Sequence, residues 1–194
     1  KYENKIKNYK EELAYLVKGH KYFFEIKKEK FKLGVKYCFD DVIQIVESAH
    51  STPSTTKNVQ EMEPIFIVGV PRSGSTLVEK IITSGEKEIP TGEETSVMEN
   101  FINQKILKKQ SINLGNVEEL RTELYDIYKK KGLILKESKN IFTDKSLNNF
   151  FYINLIKEIF PNAKVINCRR DTLSSIISIF QNNLTELAWT HDLE

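Results

Sequence analysis

Four consecutive apolar residues, Ile65 to Val68, run straight into Gly69-Val70-Pro71-Arg72-Ser73-Gly74-Ser75-Thr76, and Leu77, Val78, Ile81 and Ile82 follow at helical spacing. An apolar run without polar alternation predicts a central strand buried on both faces. The loop has the glycine spacing of a P-loop. Gly69 and Gly74 let the backbone turn tightly and bring N–H groups close to anionic oxygens, and the helix that starts near Ser75 adds the positive end of its dipole. Strand, loop and helix together form an anion site and commit this part of the chain to a parallel α/β sheet.

The rest of the chain agrees with that class. Short apolar runs alternate with amphipathic stretches after the loop. They predict a short strand at Lys87 to Ile89, helices over about Glu94–Lys109 and Val117–Lys131, a strand at Asn140 to Thr143, and a helix from Leu147 to Phe160 ended by Pro161. A strand at Ala163 to Cys168 and a helix from about Thr172 complete the series. Before the loop, Ile6, Tyr9, Leu13, Leu16, Val17, Phe23, Phe24, Ile26 and Phe31 recur at helical spacing, and a second helix is predicted at Tyr37 to Glu47. Ser48 to Glu63 has linker composition. The expected organisation is a helical segment and linker over 1–56, then an α/β domain with flanking helices over 57–194.

Composition narrows the partners. The 29 basic and 27 acidic residues are interspersed and leave a net charge of +2, without the basic face that nucleic-acid binding needs. No apolar run approaches the roughly 20 residues that cross a bilayer. Cys38 and Cys168 lie far apart, and His20, His50 and His191 have no metal spacing, so no metal site is expected and a reducing cytoplasm fits. The basic residues are nearly all lysine, and the only arginines are Arg72, Arg121, Arg169 and Arg170. Three of the four fall in two short motifs. A guanidinium fork grips phosphate oxygens in a bidentate way that an ammonium cannot.

The loop departs from that of nucleoside triphosphatases at one position. Ser75 stands where they place the lysine that reaches the β and γ phosphates, and Arg72 enters the loop instead. The strand ending at Cys168 leads into Arg169-Arg170-Asp171, where a magnesium-dependent enzyme would want a carboxylate. Ser174 and Ser178 share a face of the helix that follows, so Arg170 and Ser178 can serve a second anionic group. Two anion sites without a Walker-type carboxylate suit a nucleotide with separately charged ends and no obligatory metal. 3'-Phosphoadenosine-5'-phosphosulfate (PAPS) fits that description.

With these motifs in place, Pro64 to Lys80 resembles the 5'-phosphosulfate loop of the PAPS-dependent sulfotransferase superfamily, and Phe160 to Phe180 resembles the segment that carries its 3'-phosphate motif. Gly92-Glu93-Glu94-Thr95 and Asp144-Lys145 occur between them in the family's order. The resemblance is greatest to bacterial sulfotransferases linked to tetratricopeptide repeats and to protein-tyrosine sulfotransferases. It implies that Arg72, Ser73, Gly74, Ser75 and Thr76 hold the 5'-phosphosulfate and that Arg170 and Ser178 hold the 3'-phosphate. Lys145 corresponds to a family lysine near the bridging oxygen, and Glu94, or Glu93 beside it, to the base of the tyrosine-directed enzymes. The family continues beyond Glu194, so the domain is expected to be incomplete at its C-terminal side.

The reaction implied is transfer of a sulfuryl group to an acceptor hydroxyl, protein tyrosine among the options, with release of 3',5'-ADP. A carboxylate takes the hydroxyl proton, and Lys145 and Arg72 stabilise the charge that develops on the leaving group. Two other readings stay open on the residues alone. A P-loop kinase or NTPase would share the fold pattern, and a helical-repeat protein could bind nucleotide without turnover. Glu93 and Glu94 could also simply complement the dipole of a following helix capped by Thr91.

Overall fold

The computed structural model describes residues 8–49, 62–85, 88–135 and 140–193. The chain divides into two compact units, Phe39–Arg169 and Lys1–Cys38 with Arg170–Glu194. His50 and most of the expected linker lie outside the described residues.

The larger unit is built on a parallel sheet of three strands, β1 (Met62–Gly69), β2 (Asn140–Asp144) and β3 (Lys164–Cys168), in the order β2-β1-β3. β1 is central, as its apolar run predicts, and Phe66, Ile67 and Val68 are buried in succession. It begins three residues earlier than its apolar run, because Met62 and Glu63 pair with Asn140 and Ile141. The linker assigned to Ser48–Glu63 therefore ends before Met62. Pro64 is tolerated because β3 pairing begins only at Ile65, so β1 has one neighbour where the N–H is missing.

Between β1 and β2 the chain forms α helices at Ser75–Thr83, Val97–Leu107 and Val117–Lys130. Numbered after α1 (Tyr9–Tyr37) and α2 (Gln44–Glu47), these are α3, α4 and α5. The strand expected at Lys87–Ile89 is not formed over its described residues, Glu88 and Ile89. The segment is tied to β2 by the Thr143 N–H donating to Pro90 O at 3.0 Å. Between β2 and β3, Leu147–Tyr152 is 3-10 helix and Ile153–Ile159 is α6, where the sequence predicts one continuous helix. Both crossovers leave from the C-terminal ends of their strands, and they run to opposite sides of β1. That reversal is where open α/β sheets place ligands.

The core is largely aromatic. Tyr128 of α5 lies 4.6 Å from Phe142 of β2 and 6.4 Å from Phe160 between ring centroids, and Phe160 lies 6.1 Å from Phe66. α5 reaches this core through Val117, Leu120, Leu124 and Tyr128, recurring at three and four residues. Arg121, the one arginine outside the two motifs, is buried and structural. Its guanidinium donates to the carbonyls of Ile159 and Glu158 at the end of α6 and pairs with Glu118 at 2.9 Å. A cation there complements the helix dipole.

The smaller unit contains α1, α7 (Thr172–Asn182) and a 3-10 turn at Ala188–His191. The Asp171 carboxylate caps α7 by accepting the Ser174 N–H at 2.8 Å, and that bond holds its pKa below the usual value. His20 of α1 is a packing residue. It stacks on Phe180 at 4.5 Å, and its Nδ1 meets His191 Nδ1 at 2.8 Å. No helix among the described residues is long and apolar enough to cross a membrane.

Candidate active site

The loop after β1 owes its path to Gly69 and its partner strand. Gly69 has φ +148°, and a Cβ there would sit 2.6 Å from the Cys168 carbonyl oxygen at the end of β3. Gly74 enters α3 in the left-handed region, and Arg72 adopts φ +67° between them. The Ser73 hydroxyl is buried and, among the described residues, has no hydrogen-bond partner. A buried hydroxyl at the start of a helix lacks only an acceptor oxygen, which an anionic ligand supplies. Ser75 is buried too, while Arg72, Gly74 and Thr76 are exposed.

α3 turns an unexpected face inward. Of Leu77, Val78, Ile81 and Ile82, read as its apolar residues, Leu77 and Ile81 are 63% and 64% exposed and Val78 and Ile82 half-buried, whereas Ser75 and Glu79, one turn apart, are buried. Glu79 Oε1 accepts from the Thr143 hydroxyl at 2.7 Å and from the Glu93 N–H at 3.0 Å. The Thr143 oxygen in turn accepts the Gly92 N–H at 3.0 Å, and the Lys145 N–H donates to Glu93 O at 2.8 Å. The Gly92-Glu93-Glu94-Thr95 segment is thus strapped across the C-terminal end of β2. Helix α4 starts only at Val97, so Glu93 and Glu94 precede it and do not sit in its first turn. Thr91 does not cap it.

The strap brings Glu94 to Lys145. Glu94 Oε1 lies 3.0 Å from Lys145 Nζ, with the glutamate side chain 70% exposed and the lysine side chain 6% exposed. An ammonium has three N–H donors, and among the described residues the Lys145 ammonium has this one hydrogen-bond partner. Burial of a cation is costly unless it is well paired, so the remaining donors favour an anion entering beside it. Thr76, Glu79, Lys80, Glu93, Glu94 and Lys145 all line one open cleft of about 640 Å³.

Below the cleft Asp144 holds the end of β2 in place. It is fully buried and accepts four hydrogen bonds. Ser146 N–H and Asn149 Nδ2 reach Oδ1, each at 3.0 Å, and the Thr95 and Tyr128 hydroxyls reach Oδ2 at 3.0 and 2.9 Å. Burial, together with the Asp144 charge and hydrogen bond, pushes the Tyr128 phenol well above its ordinary pKa. The Ser146 hydroxyl also accepts the Ser96 N–H at 2.8 Å.

Of the residues picked out in the sequence, Thr76, Glu93, Glu94 and Lys145 come together on this cleft, and Arg72, Ser73, Gly74 and Ser75 form the loop that leads into α3. Arg170 and Ser178 belong to the other compact unit, at and beyond the start of α7. Sequence reasoning passed over Glu79, which stands among Leu77, Val78 and Ile81. No group of three or more His, Cys, Asp or Glu able to hold a metal occurs among the described residues.

Comparison with known proteins adds the family. Residues 64–193 match the model described as "Sulfotransferase family". An uncharacterised protein of Aquifex aeolicus (strain VF5) is 32% identical over 129 residues, which is 62% of this chain and 17% of that protein. "Protein-tyrosine sulfotransferase 1" of Danio rerio is 27% identical over 160 residues, 73% of this chain and 44% of that protein. The chain spans less than half the length of either relative. The matched region contains the glycine loop, the strapped glutamates, the buried lysine and the arginine-ended strand, and it makes this chain a member of the sulfotransferase family.

Proposed function

We propose that this chain is the nucleotide-binding and proton-accepting part of a PAPS-dependent sulfotransferase, acting on an acceptor hydroxyl through Glu94 and Lys145. The observation that carries the reading is the pairing of a solvent-reaching carboxylate with a buried ammonium at 3.0 Å, on a cleft shared with Thr76 at the start of α3. The orphaned Ser73 hydroxyl supports an anion on the loop. PAPS, when bound, supplies the sulfuryl group and leaves as 3',5'-ADP. The loop N–H groups, Arg72, Ser73, Gly74, Ser75 and Thr76 hold its 5' end, and Arg170 and Ser178 hold its 3'-phosphate.

Glu94 accepts the proton of the hydroxyl, with Glu93 as the alternative base. Of the two, Glu94 is favoured because its carboxylate already meets Lys145, whereas Glu93 engages Lys145 through its backbone carbonyl. Lys145 and Arg72 stabilise the charge that develops opposite the attacking oxygen. The expected domain is 57–194, preceded by helices over 1–56. A protein tyrosine is the acceptor to test first, since the Danio relative is a protein-tyrosine sulfotransferase by name.

The test is transfer of radiolabelled sulfuryl from PAPS to tyrosine peptides and to carbohydrate and small phenolic hydroxyls. Glu94→Gln and Lys145→Met are each expected to lower turnover by about 10² or more. Binding of 3',5'-ADP by Glu94→Gln should stay within a few-fold of the parent. Nucleotide binding without transfer to any hydroxyl class would remove the enzyme and leave a binding module.

A further inference from the structure

We infer that Glu79 is a positioning residue that registers the proton-accepting strap against the anion loop, an inference that rests on the function proposed above. Glu79 stands one helical turn after Ser75 on the inward face of α3, so the helix whose first turn closes the loop also carries this carboxylate. The residue is 2% exposed, and one oxygen, Oε1, takes both the Thr143 hydroxyl and the Glu93 N–H. Thr143 passes the restraint to the Gly92 N–H, and β2 returns it through Lys145 N–H to Glu93 O.

Glu93 needs such restraint. It adopts φ +50°, a region that residues with a Cβ visit at a cost, and such a conformation persists only where surrounding bonds over-determine it. Both of its backbone polar groups are held, the N–H by Glu79 and the carbonyl by Lys145. Glu94 is the next residue, and its carboxylate points to Lys145 Nζ. A change in the position of Glu79 is therefore carried through one peptide unit to the base, while the loop N–H groups at the other end of α3 stay where they are.

A carboxylate is used although neither of these donors is charged. Two hydrogen bonds converge on one oxygen, and charged acceptors form the shorter and stronger of such bonds. Glu79→Gln keeps an acceptor oxygen in the same place and should retain the strap. Glu79→Ala removes it. Thr143→Val breaks the same relay from the β2 side and serves where Glu79→Ala does not fold.

The experiment is amide hydrogen exchange on the whole chain, read at Gly92, Glu93 and Lys145 and, for reference, at Phe66 and Ile67 in β1, with 3',5'-ADP titration alongside. Glu79→Ala and Thr143→Val should speed exchange at Glu93 and Lys145 by at least tenfold with β1 unchanged. Glu79→Gln should restore protection, and 3',5'-ADP affinity should stay within threefold for all variants. In the transfer assay the loss should appear in kcat and not in KM for PAPS. Unchanged exchange at Glu93 in both relay-breaking variants, or equal loss at Glu93 and in β1, would overturn the inference. Failure of the parent chain to bind 3',5'-ADP would instead remove the proposed function and leave the exchange result to decide the strap.

Discussion

A Cβ at Gly92 would collide with the backbone carbonyl oxygen of Thr143, which β2 holds in place. Backbone cannot give way as a flexible side chain does, so Gly92→Ala is expected to lift the strap and destabilise the fold by about 1–3 kcal/mol, as overpacked positions do. Urea unfolding measures the loss. A second residue-scale expectation concerns Tyr128, whose hydroxyl is one of four donors to the buried Asp144. Tyr128→Phe should cost about 1.5–3 kcal/mol, the range for a hydrogen bond to a charged group. Its pKa is raised in the folded state, so the phenol's contribution is whole below its ordinary value of 10.0 and is lost as the pH rises above it. The parent protein should therefore lose stability above about pH 10 in urea titrations, with a slope that Tyr128→Phe lacks.

The 3-10 turn at Ala188–His191 carries the clearest pH dependence among the elements. His20 Nε2 faces Phe180 O at 2.7 Å, His191 Nε2 faces Leu184 O at 3.2 Å, and the two Nδ1 atoms meet at 2.8 Å. Burial lowers the His191 pKa and the neighbouring His20 adds to that, while Leu184 O opposes it. A histidine with a depressed folded pKa stabilises above its unfolded value of 6.5 and loses that stability as the pH falls. The thermal midpoint should drop between about pH 7 and 5, and His191→Phe should flatten that dependence. The same elements explain what the sequence could and could not reveal. β1 was legible because four apolar residues precede a glycine loop, and α5 because its apolar residues keep helical spacing. Glu88 and Ile89 read as strand by composition, yet they meet β2 through one backbone bond at Pro90 and form no ladder. The inward face of α3 could not be read either, because Leu77 and Ile81 follow helical periodicity and still point outward. There the carboxylate of Glu79 replaces apolar packing with hydrogen bonds to another element, and such long-range pairing leaves no local pattern.

At the scale of the molecule, the family match runs through both compact units, from β1 to beyond α7, and the motifs singled out for the two ends of a nucleotide fall one in each. Loop and strap belong to Phe39–Arg169, and Arg170 and Ser178 to Lys1–Cys38 with Arg170–Glu194. The proposed function requires this chain to bind a nucleotide with separately charged 5' and 3' ends. Calorimetric titration of the parent chain, Arg72→Ala and Arg170→Ala with 3',5'-ADP in the absence of metal tests it most directly, with ATP and magnesium as the comparison. Charged hydrogen bonds are worth about 1.5–3 kcal/mol, or roughly 10- to 100-fold in affinity. Metal-independent binding of 3',5'-ADP, weakened at least tenfold by each substitution, is the expected result. Tighter binding of ATP with magnesium, with Arg170→Ala indistinguishable from the parent, would contradict it.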